Sequence, residues 1–289
     1  MRMVVTGATG SLGTLVIDGL LERVPADQVV AVVRDREKGA ALAARGVRLT
    51  TADYDAPDTF QGVFRAGDRV LLVSGNDVTA DRLAQHRTVV EAAAVAGVGL
   101  LAYTSVPGAL QARLADAHRR TEGLILASGL PYTLLRNNWY TEAYTEQLPL
   151  VLYLGAVARA CADGRVASAS RADYAAAAVA VLTGPGHENR TYELGGDTAW
   201  NLTEYAAEVS RHAGREVPYR AMAFDGYLAH LITAGLPERA AELLAGADVS
   251  VARGQLSATP GALSRLIGRP TTPMHRSVAE AVGALATAG

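Results

Sequence analysis

The opening thirteen residues, MRMVVTGATGSLG, put a short apolar run (Met3, Val4, Val5) directly before glycines at 7, 10 and 13, and an apolar helical pattern continues from 12 to 21. Strand, glycine turn and helix in that order leave few folds open. Such a turn brings backbone N–H groups and the positive end of a helix dipole to one spot, which suits a pyrophosphate. Gly7 is expected to make the tight turn, Gly10 to let the backbone come close to the ligand, and Gly13 to keep the helix near the sheet. The spacing is GxxGxxG rather than GxGxxG. Because 29 of 289 residues are glycine, a glycine-rich surface turn is the plain alternative. The position after the first strand of an alternating chain favours the nucleotide site.

That alternation continues. Apolar runs at 28–33, 47–50, 70–73, 98–103 and 131–135 are separated by helical segments at 37–45, 57–65, 79–96 and 111–128. Six strands in βα repeats predict an α/β, Rossmann-like parallel sheet with helices on both faces. Ligands of such sheets gather beyond the carboxyl ends of the strands. Those ends carry the glycine turn, Arg34, Asp53, Ser74-Gly75, Thr104-Ser105 and Asn137-Asn138. An acidic residue after the second strand would accept from both ribose hydroxyls of NAD, whereas Arg34 offers a fork of donors to the 2'-phosphate of NADP. Arg34 comes first and Lys38 lies four residues on, so NADPH is the expected cofactor, although Asp35 stands beside Arg34. Asp53 and Tyr54 are placed to edge the adenine.

Beyond residue 140 the pattern loosens. A mixed aromatic and apolar stretch at 142–154 precedes an extended segment at 166–170, an alanine-rich helix from Asp173 to Leu182 and a small strand at 192–194. A helix at 203–212, a strand at 217–220 and helical residues 224–247 follow, broken at Gly235-Leu236-Pro237, and a last helix begins near Ser277. The expected division is an NADP-binding domain over 1–140, with segments such as 165–195 returning to it, and a smaller mixed α/β substrate-binding region over 141–289.

Charge narrows the partners. Twenty-seven Lys and Arg against 29 Asp and Glu give a net charge of -2, so no bulk attraction to nucleic acid or anionic membrane is expected. The one cysteine, Cys161, allows no intrachain disulfide and no zinc cluster, and no metal is expected. Neither a signal-peptide pattern nor an apolar stretch of spanning length is present, which points to a cytoplasmic protein. HExxH, GxSxG and phosphate-loop lysine motifs are absent. The helix after the fifth strand has Leu114 and His118 at the i,i+4 spacing where a Tyr-x-x-x-Lys pair would stand. Of the two, only His118 exchanges a proton, and a surface histidine is the other reading of it. His86 reads as a structural helix histidine and Cys161 as an inert small residue. A bound nicotinamide supplies hydride itself, so the protein need only orient and polarise.

Several stretches together resemble the NmrA-like, atypical branch of the short-chain dehydrogenase/reductase superfamily, including its bacterial NADPH-dependent quinone reductases. They are TGATGSLG at 6–13, VAVVRD at 30–35, ADY at 52–54, LLVSG at 71–75, QHRTVVEAA at 85–93 and AYTS at 102–105. LADAH at 114–118, YTLLRNNWY at 132–140, ASASRADYAAAA at 167–178 and YELGGDTAWNLTE at 192–204 extend the likeness along nearly the whole chain. The resemblance implies two-electron reduction of a quinone to a hydroquinone by NADPH. It implies that Gly7, Thr9, Gly10, Ser11, Leu12 and Gly13 hold the pyrophosphate and Arg34 the 2'-phosphate. Ser74, Gly75 and Asn76 would line the cofactor, and Thr104 and Ser105 would sit near the nicotinamide. Asn137, Asn138, Trp139 and Tyr140 would close the far side, with Arg171 helping to close the cleft. His118, Ser105 and Tyr140 are the side chains expected nearest the chemistry, His118 with a ribose contact in the place of the superfamily lysine.

The 106–113 loop is shorter than in the family, which leaves room for a bulky polycyclic quinone. Reduction coupled to oxygen-dependent hydroxylation in a biosynthetic pathway, with a partner enzyme, is therefore a second reading. A non-catalytic NADP-sensing regulator is a third. A homodimer is compatible with all of them.

Overall fold

The strands at the centre of this protein are built from valine and leucine because both faces of the sheet are covered. In the computed structural model, which describes residues 1–75, 80–108 and 114–288, β1 (Met3–Val5), β2 (Val29–Val33) and β4 (Arg69–Leu72) are buried along their whole length. The same holds for β5 (Leu100–Ser105). β3 (Arg48–Thr51) and β6 (Tyr132–Asn137) complete the expected six, and a seventh strand, β7 (Arg190–Leu194), joins them. The order is β3-β2-β1-β4-β5-β6-β7. Val4 pairs with Val30 on one side and Val70 on the other, both parallel, so the strand order reverses direction at β1 and β4. The Asn189 N–H to Tyr132 carbonyl bond and the Asn138 N–H to Leu194 carbonyl bond advance together along β7 and β6, as in a parallel pair.

Helices α1 (Ser11–Leu21), α2 (Ala40–Ala44), α3 (Arg82–Ala96), α4 (Leu114–Ala127) and α5 (Arg171–Thr183) connect these strands. α3 starts where the Asp81 carboxylate accepts from the Ala84 N–H at 3.1 Å and stops at Gly97, whose φ of +64° ends the helix in the left-handed region. α1 packs on α5 so closely that a Cβ on Gly19 would lie 3.0 Å from Val179 Cγ2. A larger side chain there would cost about 1–3 kcal/mol of overpacking.

The chain divides into two compact units. The first is Met1–Val106, Asp116–Asn137 and Arg171–Glu193; the second is Pro107–Ala115, Asn138–Ser170 and Leu194–Gly289. Two small sheets lie in the second unit. Trp200–Asn201 pairs antiparallel with Arg165–Val166, and Tyr219–Ala221 pairs parallel with Val157–Arg159. Helix Leu202–Ala213 opens on a capping box between Asn201 and Glu204. Helices Phe224–Thr233 and Glu238–Ala252 are separated at Gly235 (φ +92°) and Pro237. Met274–Ala288 is the last helix.

At the core of this unit Arg159 and Asp248 form an ion pair that is 5% and 1% exposed. Asp248 accepts from Arg159 Nη2 at 2.6 Å and from the Ala160 N–H at 2.8 Å, and the guanidinium lies over the rings of Tyr144 (5.0 Å) and Tyr227 (5.5 Å). Among the described residues no helix is long and apolar enough to cross a membrane.

Three local outcomes differ from the sequence pattern. Residues 57–65 form only a one-turn 3-10 helix, Pro57–Phe60, with Gly62 at φ +72° just beyond it. The small strand expected at 192–194 starts at Arg190 and belongs to the main sheet. Helix Ala262–Ile267 had no sequence signal, because six residues between Gly261 and Gly268 are too few to show a period. Asn76, the start of the predicted helix at Thr79 and residues 109–113 of the short loop lie outside the described residues, as does the side chain of Leu114.

Candidate cofactor site

The glycine turn is shaped by backbone contacts that admit no side chain. Gly7 has a φ of +59°, and a Cβ on Gly13 would lie 2.2 Å from the Gly7 carbonyl oxygen and 2.9 Å from Ala8 Cα. Gly7, Thr9, Gly10 and Ser11 are exposed, while Leu12 and Gly13 are buried against the sheet. α1 has no side-chain cap and no acidic residue in its first turn, so its positive end is left uncompensated.

At the end of β2, Arg34 is exposed and has no hydrogen bond or ion pair among the described residues. Its neighbour Asp35 is turned back on the chain, where its carboxylate accepts from the Glu37 N–H at 2.8 Å. The cation is presented, while one oxygen of the neighbouring carboxylate is engaged by the chain. These residues fit a phosphorylated ribose better than a ribose with two free hydroxyls. Asp53 accepts from the Asp55 N–H at 3.1 Å. Tyr54 donates to Thr6 Oγ1 at 2.5 Å, and burial pushes its phenol well above the usual range.

The loop after β4 is held one amide at a time. Val73 N–H donates to Thr6 Oγ1 (3.2 Å), Ser74 N–H to Thr104 Oγ1 (2.8 Å) and Gly75 N–H to His86 Nε2 (3.3 Å). Side chains from β5, from α3 and from the segment after β1 thus replace the strand partner this loop lacks. Thr6 and His86 were not predicted in this role, since a threonine and a helix histidine carry no spacing signal.

Ser105 is buried and its hydroxyl donates to Glu122 Oε1 at 2.6 Å. Glu122 is in turn clamped by Arg136 Nε and Nη2 (3.0 and 2.7 Å), and Arg136 Nη1 reaches Glu193 at 2.8 Å. Ser105 can donate to a substrate only by giving up Glu122. His118, read from sequence as an acid or a surface histidine, is 5% exposed with Nδ1 2.7 Å from the Tyr103 hydroxyl. Burial, then the Arg82 charge, lowers its pKa to about 3, and His86 is lowered to about 3 for the same two reasons. Both imidazoles are neutral at physiological pH.

Asn137 is buried in the first unit, and Arg171 opens α5 half-buried. In the second unit, the Asn138 side chain donates to the Leu256 carbonyl (2.9 Å) and accepts from the Trp139 N–H (2.7 Å), so its amide serves the local chain path. Trp139 and Tyr140 are half-buried, and Tyr140 bridges to Ala169.

A family model described as NAD(P)H-binding matches residues 7–185, from the glycine turn through α5. The chain belongs to the NAD(P)H-binding family. Within it, the chain is of the NmrA-like, atypical short-chain dehydrogenase/reductase type. It is 44% identical over 276 residues to quinone oxidoreductase 2 of Escherichia coli, covering 95% of this chain and 96% of the relative. It is 27% identical to an NmrA-like family domain-containing oxidoreductase of Aspergillus flavus, over 96% and 94% of the two chains. The crystal structure of an E. coli NADPH-dependent quinone oxidoreductase complexed with NADPH superposes with a TM-score of 0.93 at 43% identity, covering 98% and 99% of the two chains. The matched span opens at Gly7, the first residue of the glycine turn.

Proposed function

We propose that this protein is an NADPH-dependent quinone reductase, in which one hydride and one proton convert a quinone into a hydroquinone. The acceptor class is supported by the near full-length likeness to the E. coli enzyme. The observation that carries the cofactor choice is Arg34, exposed and unpaired among the described residues while Asp35 is tied to the Glu37 amide. When bound, the reduced nicotinamide supplies the hydride. The glycine turn binds the pyrophosphate through backbone N–H groups, and Arg34 takes the 2'-phosphate. The three side-chain-held amides of the β4 loop fix the floor on which the cofactor lies. His118, neutral at working pH, positions rather than acidifies, and water supplies the proton.

A cytoplasmic location belongs to this reading. A homodimer also belongs to it, supported by the exposed apolar side chains of Val95 on α3 and Leu126 on α4, and light scattering checks it.

The test is purified protein with NADPH or NADH and simple quinones, followed at the nicotinamide absorbance. Quinone-dependent consumption of NADPH is expected, and its absence across a panel of quinones defeats the proposal. Arg34→Ala should weaken NADPH by roughly 10-fold or more and leave NADH nearly unchanged, because the charge-assisted bond exists only with the phosphate. Equal losses for both cofactors would remove Arg34 from the site.

A further inference from the structure

β3 and β4 are not neighbours, because β2 and β1 lie between them in the sheet. The segment that leaves β3 therefore has to cross the sheet, and its contacts show where it does so. The Ala52 N–H donates to the Val33 carbonyl at the end of β2. Tyr54 Oη meets Thr6 Oγ1 just after β1 at 2.5 Å and stands 3.2 Å from the Val73 carbonyl just after β4. Residues 52–55 thus run along the carboxyl ends of the strands that carry Arg34 and the glycine turn.

The far end of this run is tied down by one buried side chain of α3. Gln85 is 7% exposed, and its Nε2 lies 3.1 and 3.0 Å from the two carboxylate oxygens of Asp55. A carboxylate only accepts, so the amide NH2 faces Asp55 and the amide oxygen faces the other way. There Oε1 lies 3.2 Å from where a Cβ on Gly75 would stand, and the next residue, His86, takes the Gly75 N–H. Two consecutive side chains of α3 therefore hold the segment after β3 and the loop after β4 against each other. Asp55 passes the restraint on, since its own N–H donates to the Asp53 carboxylate at 3.1 Å.

We propose that Gln85 is a positioning residue for the adenosine end of NADPH. By holding Asp55 it sets where Asp53 and the half-buried Tyr54 ring lie along that edge, and it touches no reacting atom. The inference rests on NADPH lying across these strand ends and not on a quinone being the acceptor.

The experiment is calorimetric titration of the full chain with adenosine 2',5'-bisphosphate, the adenosine end of NADPH alone. Gln85→Leu keeps the bulk and removes the amide, and Asp55→Ala removes the carboxylate from an exposed residue. Each should weaken the bisphosphate by about 5- to 10-fold, the worth of one hydrogen bond. Because the two residues act through one contact, the double variant should bind no more weakly than the weaker single variant. Losses that add, or an unchanged affinity in Asp55→Ala, overturn the proposal. Asp55→Ala decides even should Gln85→Leu not fold, because its side chain is on the surface.

Turnover separates positioning from general damage. In both variants the KM for NADPH should rise by the same factor while kcat at saturating NADPH holds. A fall in kcat at unchanged KM overturns the assignment to the adenosine end. Failure of the wild type to bind the bisphosphate instead defeats the placement of the cofactor itself. Absence of quinone turnover, with the calorimetric pattern as stated, defeats the quinone-reductase reading and leaves the role of Gln85 standing.

Discussion

Each unit of the protein buries a polar cluster, and the two are opposites in charge. In the second unit Arg159 and Asp248 are a charged pair whose bonds return to one another, to the Ala160 amide and to two aromatic faces. In the first unit His86, Thr121, Tyr103 and His118 are all neutral and are joined by hydrogen bonds between α3, β5 and α4, with the Arg82 guanidinium 3.5 Å from His118 Nε2. A cluster that closes on itself serves the fold. The neutral cluster also holds the Gly75 amide, at the end of the parallel sheet where ligands gather.

The largest expected effect lies in the closed cluster. Asp248→Ala leaves a buried guanidinium without its counter-charge and should cost about 3–5 kcal/mol of stability, read from urea unfolding. A cost under about 1 kcal/mol would mean the pair is hydrated and the contrast with the neutral cluster is false.

The neutral cluster is tested by acid. Both histidines titrate near 3 in the folded protein and near 6.5 when unfolded. Between those values the unfolded chain binds more protons, so their contribution is fully present above about 6.5 and is lost as the pH falls toward 3. Each histidine should add up to ~1.4 kcal/mol per pH unit to that slope. Urea midpoints across the window should therefore show a flatter acid limb in His118→Asn than in the wild type. Parallel limbs would mean that His118 is not held neutral.

The smallest expected effect is a null. Cys161 is fully buried, and burial followed by the Asp248 charge raises its thiol well above the usual range. A thiol reagent at neutral pH should leave the native protein unmodified and label it once it is unfolded. Rapid native labelling would show that the closed cluster opens.

Legibility followed distance along the chain. The glycine turn and Arg34 could be placed from sequence because each needs only the strand beside it. Segments such as 165–195 could be expected to return to the first domain, yet β7 as a full strand could not, because only Leu194 of its five residues is buried. His86 was expected to be structural, and the structure adds that its ring holds the Gly75 amide. Tyr103 had no signal at all, since a tyrosine in an apolar strand looks like core. Its partners sit 15 and 17 residues away on different helices, a distance no periodicity bridges. The Ser105–Glu122–Arg136 chain was hidden for the same reason.

The order in which the sheet is completed bears on synthesis. β6 ends at Asn137, but its outer neighbour β7 is not made until Arg190–Leu194, after the chain has passed through 33 residues of the second unit and the α5 helix. On the ribosome the nascent sheet therefore waits with a bare edge of unpaired N–H and carbonyl groups, the kind of surface that recruits other chains. A polypeptide stalled before residue 190 carries the whole glycine turn yet remains sticky, so translation pauses inside 138–189 are where this protein is exposed to aggregation and in need of a chaperone.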